Sequence, residues 1–150
     1  MNDRYLNRAK RTDNGEWVEG YLIHARKDCY MCENPYECMS EHSSLNGQSY
    51  GFGGFKLVDE STICQCTAMP DKNRKIAYEH DIIKTPVGNA KIIWICSPSP
   101  IDNHINVGFE SVFLDAIAND NYRHDLGYWI GKSEVIGSVF DNPELLEVGE

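Results

Sequence analysis

A chain of 150 residues with a formal charge of −9 and a pI near 5.0 suits one ordinary domain with one core, and its overall field repels phosphate backbones. Apolar residues make up 41%, enough to pack a core, yet no window approaches the roughly 18 consecutive apolar residues of a membrane span. The basic first eleven residues have no apolar run behind them, which argues against a secretory signal and for the reducing cytoplasm, where six cysteines are expected as thiols or metal ligands rather than disulfides.

Residues 4–10 alternate weakly, and Asn14-Gly15 supplies a turn before Trp17-Val18-Glu19-Gly20-Tyr21-Leu22-Ile23, which together signal a hairpin. In an extended strand Trp17, Glu19, Tyr21 and Ile23 share one face and Val18 and Leu22 the other. Apolar residues on both faces predict an interior strand. Arg4, Arg8, Lys10 and Arg11 form the one dense basic cluster, either solvated charge on a strand face or a phosphate-binding patch.

Residues 24–49 show no sustained period and read as a Cys-rich excursion from the sheet, with a short helix around residues 35–39 or something else to hold it. Cys29 and Cys32, then Cys38 and His42, offer four soft or borderline ligands whose spacing could close a tetrahedral zinc site. The other reading is unpaired thiols in a variable loop, because a second Cys-x-x-Cys is missing.

Gly51, Gly53 and Gly54 lack the register of a dinucleotide loop and fit a bent hairpin instead. Phe55, Leu57 and Asp59 alternate with Lys56 and Val58 in a strand that stops at Asp59, whose carboxylate can cap a single turn through Thr62. Ile63 to Thr67, the turn Pro70-Asp71-Lys72-Asn73 and the apolar residues from Ile76 read as strand, turn, strand. Cys64 and Cys66 share a face and read as core residues, with a four-cysteine site alongside Cys29 and Cys32 as the other possibility. Glu79 and Asp81 are paired carboxylates without a nucleophile or partnered base, so no catalytic residue is assigned.

A second hairpin runs from Asp81 through the turn at Pro86-Val87-Gly88-Asn89 to Cys96. Beyond the Pro98 and Pro100 break, Ile105, Val107, Phe109 and Phe113 line one face of another strand. Residues 116–123 read as a loop or short helix end, residues 128–130 and 134–140 as the last strands, and Asn142-Pro143 opens a C-terminal helical turn. Trp17, Trp94 and Trp129 are expected to be largely buried.

Asp13-Asn-Gly-Glu-Trp-Val-Glu-Gly-Tyr21, Gln65-Cys-Thr67, Asp71-Lys-Asn73 with Tyr78-Glu-His-Asp-Ile-Ile-Lys84, Asp125-Leu-Gly-Tyr-Trp-Ile130, and Glu134-Val-Ile-Gly137 with Asp141-Asn-Pro-Glu-Leu-Leu146 resemble the phage and prophage YopX protein family. The resemblance brackets nearly the whole chain. That family's pattern carries glycine where this chain has Ala68, Arg74 and His80, and losing glycine disfavours positive φ, so a wider or differently shaped turn is expected.

The resemblance implies a mainly β fold with a barrel-like half, encoded by a phage or prophage and working in the bacterial cytoplasm, and it implies no biochemical activity. With the residue patterns it gives a β-rich α+β fold of antiparallel hairpins, one YopX-like domain over residues 1–150 and a short C-terminal helical turn. The expected function is non-enzymatic binding of a host or phage protein, without membrane association and with a possible homo-oligomer covering the sheet edges. The alternative is a small zinc-supported nucleic-acid-associated module using the N-terminal basic cluster.

Overall fold

The computed structural model describes residues 5–33, 42–43, 50–51, 55–99, 101–102 and 104–147. They contain twelve strands, all antiparallel where paired, with only short helical pieces, as the mainly β expectation requires. The chain divides into two compact units, residues 1–66 and 67–150. Where one core was the expectation, the described residues form two hydrophobic clusters, one in each unit.

In the first unit, β1 (Asn7–Lys10) and β2 (Trp17–Ala25) form the hairpin that Asn14-Gly15 announces, with Gly15 at φ +71°. β2 is an interior strand, paired with β1 on one side and β3 (Asp28–Cys32) on the other. β3 corrects the expected excursion, whose start lies in the sheet: Cys29 and Met31 are buried on one face, an alternation hidden in residue types that read as loop. The glycine bend at Gly53 and Gly54 and the helix expected near residues 35–39 fall outside the described residues, where only the short pair β4 (His42–Ser43) and β5 (Tyr50–Gly51) is defined.

Beside β3 lies β6 (Phe55–Val58), followed by the 3-10 turn Glu60–Thr62, which Asp59 caps by accepting from the Ser61 N–H at 3.0 Å. β7 (Cys64–Pro70) then returns to β1, pairing Cys64 with Arg8 and Gln65 with Asn7. At its other end β1 meets β6: Arg11 bridges Val58, and the Asp59 N–H donates to the Lys10 carbonyl at 2.8 Å. The Thr62 hydroxyl accepts from the Lys10 N–H at 2.8 Å and pins the join. Along its length β1 therefore meets β7 at Asn7 and Arg8 and then β6 at Arg11. This curl around Ala9, Val18, Met31 and Val58 is the barrel-like feature, although no closed barrel forms among the described residues. Gly20 permits the curl, since a Cβ there would stand 2.3 Å from the Cys32 carbonyl oxygen.

In the second unit, β8 (Ile76–Tyr78) neighbours β7, and the Thr67 hydroxyl donates to the Ala77 carbonyl at 2.7 Å. A four-stranded sheet has the order β11 (Ile105–Phe113), β10 (Gly88–Pro98), β9 (Asp81–Thr85), β12 (Glu134–Ser138). Helix α1 (Ala116–Asn121) is capped by Asp115, which accepts from the Ala118 N–H at 2.9 Å. Residues 128–130, expected as strand, belong instead to α2 (Leu126–Trp129) and the 3-10 turn Ile130–Lys132. Leu126, Trp129 and Ile130 are all buried, a helical i, i+3, i+4 spacing too short to stand out against the β propensity of Tyr-Trp-Ile. The C-terminal turn Pro143–Leu146 forms as expected, but the Asn142 side chain makes no cap there and instead accepts from the Ser138 N–H at 3.3 Å.

Three non-glycine residues in the second unit hold left-handed backbone: Ala68 at φ +58°, Arg74 at +68° and His80 at +68°. The resemblance has glycine at these three positions, and this chain holds them left-handed without it. Each L-residue there costs about 1–2 kcal/mol, and glycine's larger unfolded freedom offsets roughly half of that. Arg74 is exposed, so Arg74→Gly is expected to raise stability by about 0.5–1 kcal/mol. A denaturant melt checks it, and unchanged or reduced stability would show that the side chain contributes more than the backbone strain.

Of the three tryptophans, only Trp129 is core, at 4% exposed. Trp17 is half-buried beneath Arg8 and Lys10, whose charged ends lie 4.6 and 5.3 Å from its ring centroid. Trp94 is 41% exposed, because β10 runs past the end of β9 and among the described residues pairs with β11 alone there.

Candidate functional site

Among the described residues, the side chains considered for catalysis or metal binding are not gathered into a reactive centre. Cys29 and Cys32 stand three residues apart on β3 and so leave opposite faces of the strand. Cys32 is disulfide-bonded, contrary to the expectation of thiols or metal ligands rather than disulfides, and a sulfur so bonded is not a thiolate ligand. Cys38 lies outside the described residues, and His42 is defined only as strand backbone. Among the described residues no three of His, Cys, Asp or Glu gather as a metal site.

Cys29 does approach a base, with its sulfur 3.2 Å from His24 Nδ1 across the β2–β3 pair. Burial and the nearby Glu60 and Asp28 charges push this thiol above its ordinary range, opposite to the activation a nucleophile needs. Cys64 and Cys66 are buried thiols outside any disulfide, and Cys96 is an exposed one. Asp81, 1% exposed, accepts from the Tyr78 N–H at 2.9 Å and so holds the turn into β9, while Glu79 lies 3.7 Å from His80 Nε2. In the basic cluster Arg11 is tied to Asp13, whose carboxyl it holds below the usual range, and Arg4 lies outside the described residues.

Two surfaces of the second unit stand out instead. The first is the outer β10–β11 ribbon. From Ile93 onward β10 pairs with β11 alone among the described residues, and Trp94 faces Phe109, Cys96 faces Val107 and Pro98 faces Ile105. Side chains of such partners share one side of the ribbon, so that side is apolar throughout. Ile105 is 66% and Val107 57% exposed. The predicted face is therefore real, but its outer half is not core.

The second surface is a recess of about 440 Å³ walled by Pro86, Val87, Tyr122, Tyr128 and Trp129. Its back is rigid: the Trp129 indole donates to the Arg123 carbonyl at 2.6 Å and meets Phe113, Tyr122 and Tyr128 edge-on at centroid distances of 5.3, 6.0 and 4.9 Å. At its mouth two cations share one ring, with the Arg123 guanidinium 4.5 Å and the Lys132 ammonium 3.4 Å from the Tyr128 centroid. Two like charges within about 8 Å repel by roughly 0.5–2 kcal/mol, comparable to the gain of about 0.5–1 kcal/mol from each exposed cation–π contact. Arg123 also donates to Asp125 at 2.6 Å, which holds that carboxyl below its ordinary range. Lys132 has no carboxylate in ion-pair range among the described residues.

A model of the YopX protein family matches residues 7–147, nearly the whole chain. The chain belongs to the YopX family. No curated protein matches it. The YopX-like segment Asp125-Leu-Gly-Tyr-Trp-Ile130 supplies the aromatic wall of the recess, whereas the cations at positions 123 and 132 flank it and were not singled out from the sequence. A basic residue on each side of a Tyr-Trp pair was the signal available. None of the described helices is long and apolar enough to cross a membrane.

Proposed function

We propose that this YopX chain is a phage or prophage accessory protein that acts in the bacterial cytoplasm by binding a host or phage protein, without catalysis of its own. The observation that carries the reading is the ribbon face of Trp94, Ile105 and Val107, a contiguous apolar surface outside both clusters formed by the described residues. Residues 92–110 carry Asp102 and Glu110 and neither lysine nor arginine, so the fitting partner has an apolar centre with a basic rim. The charge of −9 steers such a partner inward and weakens with salt. A raised thiol on Cys29 and structural roles for Asp81 and Asp71 support the non-enzymatic part.

The test is capture from the bacterial host with wild-type chain and with the Ile105→Asp, Val107→Asp double variant. Both positions are exposed, so the variant is expected to keep its melting temperature and lose the captured partner. A partner retained by the folded variant overturns the reading. Light scattering on the two proteins shows whether that partner is a second copy of the chain. Arg8 and Lys10 over Trp17 favour the nucleic-acid module as a second reading, because cation and ring together suit single strands. Salt-sensitive DNA binding that Arg8→Glu, Lys10→Glu abolishes in folded protein would replace the first.

A further inference from the structure

We propose that the recess between Pro86 and Tyr128 is a binding site for a small aromatic anion, a flat ring carrying phosphate, of which a nucleoside monophosphate is the simplest form. The walls suit a ring. Tyr122 and Tyr128 are each about half exposed beside the buried Trp129, and Pro86 and Val87 add apolar lining. The volume of about 440 Å³ lies within the roughly 300–1,000 Å³ usual for small-ligand sites.

The mouth suits an anion. Tyr128 collects Arg123 and Lys132 on one ring but neutralises neither, and Asp125 offsets only one of the two charges. A local excess of positive charge in a chain of −9 is the reverse of its general field. A phosphate at the mouth relieves the repulsion between the cations and accepts hydrogen bonds from both. Because Trp129 is anchored in the core and bonded to the Arg123 backbone, ring wall and guanidinium base are held in place before any ligand arrives.

Titration calorimetry with adenosine monophosphate, adenosine and inorganic phosphate tests this on the full chain. The expected result is saturable binding of the monophosphate, at least about tenfold tighter than either adenosine or phosphate alone. Lys132→Ala is expected to weaken the monophosphate about tenfold while Lys132→Arg retains it, both at unchanged melting temperature because the side chain is exposed. Absence of saturation at millimolar monophosphate, equal binding of phosphate alone, or a folded Lys132→Ala variant with wild-type affinity each overturns the proposal. The ribbon variant with Ile105→Asp and Val107→Asp leaves the recess intact, so it should bind the monophosphate normally whatever becomes of its protein partner.

Discussion

Replacing Asp71 with alanine is expected to destabilise the chain by about 3–5 kcal/mol, because one carboxylate serves three backbone donors. Its Oδ1 accepts from the Asn73 N–H at 2.8 Å and the Lys75 N–H at 2.9 Å, closing the turn between β7 and β8. Its Oδ2 accepts from the Val135 N–H at 2.9 Å, joining that turn to β12. Neighbouring bonds repeat the connection, with the Lys72 N–H donating to the Ser133 carbonyl at 2.9 Å and the Lys72 ammonium 3.2 Å from Glu134. At 5% exposure Asp71 leaves little room for water to replace it, so each orphaned donor loses roughly 1–3 kcal/mol, most at the buried Val135. Burial pushes the Asp71 carboxyl up, but the three donors and the Lys75 charge outweigh it and leave the group below its ordinary range. A depressed carboxyl contributes stability that is present above about pH 4 and lost as pH falls through the folded-state value. The gap between wild type and Asp71→Ala in chemical melts should accordingly be full at pH 7 and narrow in acid. A gap under about 1 kcal/mol at pH 7 would show that the turn holds without its carboxylate.

The strands were legible wherever a period of two ran between recognisable turns. β1–β2 around Asn14-Gly15 and β9–β10 around Gly88 both appear where alternation and turn chemistry place them, as does the single turn capped by Asp59. β3 was not legible, because its inward residues are Cys29 and Met31, which act as core here but also populate loops and metal sites. Local signals also failed for Tyr128 and Trp129, where strand formers sit in a helix of only four residues that Leu126 and Trp129 anchor by burial. The left-handed residues Ala68, Arg74 and His80 are a third case: residue type argued against positive φ, and hydrogen bonds such as His80 N–H to the Ile92 carbonyl at 2.8 Å hold the backbone there. The site was the least legible part. Alternation identified the face of Ile105 and Val107 but not its exposure, which depends on β9 being shorter than β10. The recess brings Pro86 and Val87, from a hairpin turn, beside Tyr128 and Trp129, and that juxtaposition is a tertiary fact without a local signature.

Trp129→Ala is expected to cost about 3–5 kcal/mol, whereas Trp94→Ala should cost roughly 1 kcal/mol, although both residues lie in apolar stretches of similar appearance. Trp129 packs in the cluster of Ile83, Ala90, Ile92, Phe113, Leu126 and Ile130, and its removal leaves a cavity bordered by strands and helix alike. It also strands the Arg123 carbonyl that its indole reaches at 2.6 Å and removes the common partner of the Phe113, Tyr122 and Tyr128 rings. Among the described residues Trp94 has one ring contact, with Phe109 at 4.8 Å, and it already exposes 41% of its surface, so truncation opens a notch that water can fill rather than a void. Chemical melts of the two variants at pH 7 measure the contrast directly. Equal losses would place the outer ribbon inside a core and remove the apolar face on which partner binding rests. The expected contrast instead assigns Trp129 to holding the second unit together and leaves Trp94 available for contact with another molecule.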